Sequence, residues 1–325
     1  MKLIPLVAFL FIASCNQSVR DNQQQNVQES PVTEEQVYLF SYFVGNGEDG
    51  LHLAWSKDGL KWEALNNSKS FLQPVVGESK LMRDPCITQS SDGIFHMVWT
   101  TSWNGQTIGY SNSKDLINWS EQIAIPVMAD EPNAVNCWAP EINYLAEQDS
   151  FMIYWSTTIT DRFPETIESH NSGKQRNHRI YFTKTQHFEN FTSASLLYEP
   201  GFNVIDASIY PENDRYLMFI KNETELPKAE KNIRIAWADE ITGPYSEPTD
   251  PVTGDYWAEG PTAIIIDGKW HLYFDKYVEG EFGLLVSEDL KQWQDFSEQL
   301  EMPEDIRHGT VFSVERPLLE QLKNL

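Results

Sequence analysis

The chain has 325 residues, with 24 Lys and Arg against 48 Asp and Glu, a formal net charge of −24. So acidic a surface repels polyanions and excludes nucleic acid as an expected partner. Aromatic residues make up 13 % of the chain and 11 of them are Trp, a content that suits stacking on sugar rings even though most of these side chains must be core.

The chain opens with MKLIPLVAFLFIASC (1–15). One Lys precedes an apolar run too short to span a bilayer comfortably, followed by small residues and Cys15, the layout of an export signal. Ile12-Ala-Ser-Cys15 resembles the lipobox of bacterial lipoproteins. That resemblance implies a lipid on Cys15 and an exported protein whose only membrane contact is its anchor, on the periplasmic or cell-surface side. An ordinary signal peptide with an incidental cysteine is the alternative. Residues 16–36 are rich in Gln, Asn and Glu and nearly free of apolar side chains, which predicts a disordered tether. Residues 37–325 are then expected to form one domain, read as a monomer.

Within that domain one pattern returns five times. An aromatic-rich strand appears as VYLFSYF (37–43), IFHMVWTT (94–101), SFMIYWSTT (150–158), RYLMFIKN (215–222) and KWHLYFDKY (269–277). Each is followed by an alternating strand closed by a turn and an aromatic. LHLAWSKDGLKW (51–62), TIGYSNSKDLINW (107–119) and FGLLVSEDLKQW (282–293) are clear copies; RIYFTKTQHFENF (179–191) and IRIAWADEITGPY (233–245) are weaker. Starts of the first element lie 54–65 residues apart, within reach of the longer propeller repeats. Helical periodicity is confined to the last dozen residues.

A third element precedes four of the five: RDPCITQS (83–90), CWAPEINYL (137–145), VIDASIYPE (204–212) and AEGPTAIII (258–266). The first repeat lacks one, and RHGTVFSVE (307–315) stands unattached at the far end. Joining the two predicts an all-β, five-bladed β-propeller whose first blade is closed by the C-terminal strand, a closure that also hides exposed edges. Aligned through their apolar residues, the five inner strands begin with Asp84, Ala139, Asp206, Glu259 and His308. Three carboxylates would thus meet at the mouth of one channel, and paired carboxylates are the apparatus of glycoside hydrolysis. A third can raise the acid's pKa by repulsion, as burial also does.

RDPCI, VIDASI and AEGPTAI, in this order and spacing, resemble the three signature strands of family 43 glycoside hydrolases across 37–325. The resemblance implies an inverting five-bladed propeller acting mainly on arabinofuranosides and xylosides, with no cofactor required for the chemistry. It implies Asp84 as the base that activates water, Glu259 as the general acid and Asp206 as the residue that tunes and orients the acid. WAPEI resembles the family's second inner strand but carries Glu141 where Asp is usual, which leaves that residue's role, substrate binding among them, open. RHGTVF resembles the fifth, whose His often sits near a channel cation, so His308 is the metal candidate and Ca²⁺ or Na⁺ the candidate ion. Trp103 and Trp138 are the stacking candidates, with packing between blades the alternative. Arg83 is a candidate both for a sugar hydroxyl and for neutralising Asp84.

The polar stretch 159–178 is expected to form a rim loop with His170 and His178 solvated, and Cys86 and Cys137 to remain buried thiols rather than a bridge. The expected activity is removal of terminal α-L-arabinofuranosyl units from plant polysaccharide or oligosaccharide. β-Xylosidase and β-galactofuranosidase remain alternatives on the same site. Fructan hydrolases share the ring and the Arg-Asp-Pro motif, but His308 stands where they need a nucleophilic Asp and no Cys follows Glu141. A non-catalytic glycan-binding lipoprotein is the reading from another class.

Overall fold

The computed structural model describes residues 36–169 and 175–325. The expected signal, Cys15, the tether up to residue 35 and His170 lie outside the described residues. Gln36, assigned to the tether from sequence, already pairs with Glu315.

Five sheets form the blades. Blade I holds Gln36–Phe43, His52–Ser56 and Glu63–Ala64, with Arg307–Glu315 as its inner strand. Blade II runs Arg83–Gln89, Phe95–Thr100, Ile108–Ser113 and Ile123–Ile125 from the centre outward. Blade III runs Trp138–Leu145, Ser150–Thr157, Arg179–Thr185 and Ser195–Tyr198. Blade IV has Val204–Glu212, Arg215–Asn222 and Asn232–Ala238; blade V has Glu259–Ile266, Lys269–Lys276, Glu281–Ser287 and Gln294–Asp295. The fold is the five-bladed propeller, and a terminal helix, Arg316–Lys323, buries Leu319 and Leu322.

The second strands read as unbroken apolar runs because both their faces are covered. Side chains alternate across a strand. In blade III, Ile153 and Trp155 therefore enter the layer shared with Val98 and Tyr110 of blade II. Met152 and Tyr154 enter the layer shared with Met218 and Ile220 of blade IV. Each large side chain so buried is worth about 1.5–3 kcal/mol, and five such layers between blades hold the ring together.

The repeated Ser-x-Asp of the outer hairpins has a local cause. The Asp58 carboxylate accepts from the backbone N–H of Leu60 and Lys61, at 2.9 and 3.0 Å. Asp115 does the same for Ile117 and Asn118, and Asp289 for Lys291 and Gln292. These are side-chain-closed turns. The aromatic that ends the motif locks two of them, since Trp62 and Trp119 donate their indole N–H back to Gly59 and Leu116.

All five inner strands break register at the same point. In blade II, Arg83 faces Thr100 and Cys86 faces Val98, so two residues oppose one. The same bulge falls between Trp138 and Glu141, Ile205 and Ser208, Glu259 and Thr262, and Arg307 and Thr310. Its first residue has positive φ at Asp84, Ala139, Asp206 and Gly260. Such bulges re-aim a side chain, and here they do so at the mouth of the channel.

Candidate active site

The bulges correct the alignment made from apolar residues. The position shared by Asp84, Ala139, Asp206 and His308 is filled in blade V by Gly260, and Glu259 stands one residue earlier, in rank with Arg83, Trp138, Ile205 and Arg307. Gly260 is required there by space, because a Cβ would collide with Cγ and Cδ2 of the His308 ring; its positive φ, +58°, is a conformation shared with the non-glycine residues Asp84, Ala139 and Asp206. Gly260→Ala is accordingly expected to cost about 1–3 kcal/mol, read as a lower denaturant midpoint with unchanged slope.

One pocket of about 950 Å³ opens at this end of the channel, within the size of small-molecule sites. Asp84, Asp206, Glu259, Arg83, Trp103, Trp138 and His308 all line it. Glu141 does not: it is buried below, accepting from Cys86 Sγ at 3.3 Å and Thr310 Oγ1 at 3.5 Å. Burial pushes its carboxyl up to about 7. From this strand it is Trp138 that lines the pocket, so the substrate-binding role considered for Glu141 does not hold.

The carboxylates are tied to one another through few links. Asp84 Oδ2 accepts from Thr100 Oγ1 at 2.8 Å, and Asp84 Oδ1 lies 3.5 Å from His308 Nδ1. The same nitrogen is 4.0 Å from Asp206 Oδ2, which accepts from the backbone N–H of Gly260 at 3.0 Å. Asp206 therefore holds the backbone next to Glu259. Burial raises the Asp206 carboxyl to about 6, His308 working against that rise and Glu259 with it.

Glu259 is held differently. Its Oε2 lies 3.0 Å from Lys221 Nζ and its Oε1 3.2 Å from Arg307 Nη2. Burial alone would raise its carboxyl, but the Lys221 ammonium and its hydrogen bond prevail and the net shift is downward. The pairs continue outward. Lys221 also meets Glu223 at 2.7 Å, Glu223 meets Lys231 at 2.7 Å, and Arg307 Nε meets Asp275 at 2.6 Å. Burial raises Asp275 to about 6, Glu259 adding to the rise and Arg307 opposing it.

Sequence reasoning missed Thr100, Lys221 and Asp275, which follow one rule, and Arg307, which Asp275 holds. The residue opposite the start of each bulge, on the second strand, reaches the inner strand of the next blade. Thr100 Oγ1 accepts from Ala139 N at 2.8 Å and Ser156 Oγ from Asp206 N at 3.1 Å. Lys221 reaches Glu259, Asp275 reaches Arg307, and the Phe43 ring receives Arg83 at 4.6 Å. The signal was a polar residue ending an otherwise apolar strand, as in RYLMFIKN and KWHLYFDK.

Metal binding fits the residues poorly. Among the described residues no group of three or more His, Cys, Asp or Glu side chains is arranged to hold an ion. Burial opposes charge on His308, yet the carboxylates of Asp206, Asp84, Glu141 and Glu259 outweigh it and its pKa is raised. His308 Nδ1 thus faces both aspartates, 3.5 Å from Asp84 Oδ1 and 4.0 Å from Asp206 Oδ2.

The aromatic wall is built from Trp103 and Trp138, edge to face at 5.7 Å. Trp138 Nε1 donates to Trp103 O at 3.0 Å, and Trp103 is 44 % exposed. Arg83 packs over Trp103 at 4.3 Å and makes no ion pair with Asp84, so it does not neutralise that carboxylate by contact. His178, expected in solvent, is buried: its backbone N–H and Nδ1 lie 2.8 and 3.1 Å from Asn203 Oδ1, and its ring is 4.7 Å from that of Trp138. The end of the 159–178 insertion turns inward and backs the platform. Cys86 and Cys137 are free and buried.

No curated relative matches the chain at a significant level. Solved structures share its fold. An α-L-arabinofuranosidase from Lactobacillus brevis superposes with TM-score 0.53 at 19 % identity, over 66 % of this chain and 72 % of its own. A thermostable family-43 glycoside hydrolase gives 0.52 at 16 %, over 66 % and 71 %. A GH43_1 enzyme from Xanthomonas citri complexed with xylose gives 0.51 at 13 %, over 68 % and 75 %. The family profile described as "Probable glycosyl hydrolase domain", related to glycoside hydrolase family 43, matches residues 34–320. Spanning nearly the whole propeller, that match makes the chain a member of this family and a glycoside hydrolase.

Proposed function

We propose that the enzyme is an inverting, exo-acting glycosidase that removes terminal α-L-arabinofuranosyl units from plant oligo- or polysaccharide. The observation that carries this reading is the convergence of Asp84, Asp206 and Glu259 on one pocket walled by Trp103 and Trp138. Asp84, held by Thr100 and His308, takes a proton from a water as that water attacks the anomeric carbon. Glu259 gives a proton to the departing glycosidic oxygen, so the bond to carbon breaks on one face as another forms opposite. Asp206 orients the acid through the Gly260 amide. In the ligand-free pocket Lys221 keeps Glu259 ionised to lower pH than an ordinary glutamate, so the reaction is favoured on the acid side of neutrality. The preference for furanosides is supported by the sequence motifs and by a fold shared with an arabinofuranosidase.

The test is a panel of nitrophenyl glycosides, with NMR of the first-formed sugar. Turnover of the α-L-arabinofuranoside with release of the inverted anomer is expected. Retention would remove the water-activating role of Asp84, and faster turnover of the β-xyloside would move the substrate to that alternative. Binding of oligosaccharide without turnover of any glycoside would favour a lectin-like role.

A further inference from the structure

The pocket lining includes two guanidinium groups that form no ion pair with its carboxylates. Glu259 is matched by Lys221 and Arg307, Glu223 by Lys221 and Lys231, and Asp84 and Asp206 share His308. Two lining arginines remain, Arg83 and Arg176. Among the described residues neither has a carboxylate within ion-pair distance. Arg176 is the sharper case. It is 6 % exposed, its guanidinium donates to Asn104 Oδ1 at 3.3 Å, and burial alone lowers its pKa.

A buried guanidinium without a counter-charge is expensive, and it offers five donors of which the neutral Asn104 takes one. The Trp138 ring, 5.3 Å away, offsets part of that cost. Arg83 repeats the arrangement on the other side, with Trp103 beneath it and Nη1 donating to Asn46 Oδ1 at 3.3 Å. Arg83, Trp103, Trp138 and Arg176 thus follow one another round one wall, with a cation at each end and two indole rings, edge to face, between. In a chain of net charge −24, unpaired cations kept beside a catalytic pocket select for a negative group, because a fixed guanidinium fork recognises an oxyanion at close range while the distant surface charge is screened.

We propose that this wall binds a sugar bearing an oxyanion, a uronate carboxylate or a sulfate ester, next to the bond that is cut, with Arg176 and Arg83 as the residues that recognise it. This deepens the glycosidase reading and rests on it for the meaning of "next to the bond that is cut". The binding itself is measured without turnover.

The experiment titrates the full-length protein with digalacturonate, its methyl ester and a galactose 6-sulfate disaccharide by calorimetry. The acid or the sulfate is expected to bind at least tenfold tighter than the ester, with a preference that falls as salt rises. Whichever of the two anions binds tighter identifies the natural group. Arg176→Gln is expected to bring the anion-to-ester ratio close to one, and Arg176→Lys to keep part of it. A purely structural arginine would weaken all three ligands together and leave the ratio intact. That result, or equal binding of acid and ester by the unsubstituted protein, overturns the proposal. Should Arg176→Gln fail to fold, the salt dependence and the lysine variant decide. If no furanoside is hydrolysed while the anion preference stands, the arabinofuranosidase reading fails and the anion site survives; the converse result removes only the anion site.

Discussion

Glu259→Gln is expected to lower kcat/KM by about 10²–10⁴ on an alkyl or oligosaccharide arabinofuranoside, and by far less on a dinitrophenyl arabinofuranoside, whose phenolate departs without a proton. Asp84→Asn is expected to depress both substrates alike, since water must be activated whatever leaves. The comparison separates the two roles because each substitution is nearly isosteric and the fold should tolerate both. When Glu259 loses its charge, Lys221 still has Glu223 and Arg307 still has Asp275. Equal losses on both substrates in Glu259→Gln would take the acid role from this residue. Asp206 is then next in order, since its carboxyl is raised to about 6 and its Oδ2 already holds the Gly260 amide.

The blades were legible because their signals are local. A strand covered on both faces reads as FHMVWT or FMIYWS, and a turn closed by its own aspartate reads as SKDGLKW or SEDLKQW. Even the pairing of RHGTVFSVE with the first repeat followed from counting elements, and the ladder Val37↔Val314 to Ser41↔Thr310 is the result. The rank of Glu259 was misread because apolar spacing ignores a bulge. The Pro at Pro85, Pro140 and Pro261 marks the second bulged residue and carries the correct register. The ion-pair chain was out of reach for another reason. Lys221 and Asp275 are visible as odd residues at strand ends, but their partners belong to the next blade, and only ring closure brings them together. Arg176 and His178 were hidden most fully, since a polar stretch without periodicity reads as solvent-facing, and what draws them in is tertiary: Trp138 for both, Asn104 for Arg176 and Asn203 for His178.

Lys221→Met is the second large effect. Lys221 is 1 % exposed, and besides Glu259 and Glu223 it has the Tyr277 ring 4.5 Å away. A neighbouring cation favours the ionised carboxyl, so its removal raises the Glu259 pKa. The alkaline limb of kcat/KM, which reports loss of the protonated acid in the free enzyme, should therefore move to higher pH by about one unit, at 1.36 kcal/mol per unit. The acid limb, set by the base, should hardly move, because Asp84 is held by Thr100 and His308 and not by Lys221. Opening a buried ion pair costs about 3–5 kcal/mol when it strands its partner. Here Glu223 keeps Lys231 and Glu259 keeps Arg307, so the loss should fall at or below the lower end of that range, read from chemical denaturation. A profile that loses height with neither limb displaced would mean that Lys221 only supports the fold. A profile displaced to lower pH would mean that the proton used in catalysis does not reside on Glu259. The sign of one shift thus tells whether the lysine beneath the pocket sets the acid or merely fills the space below it.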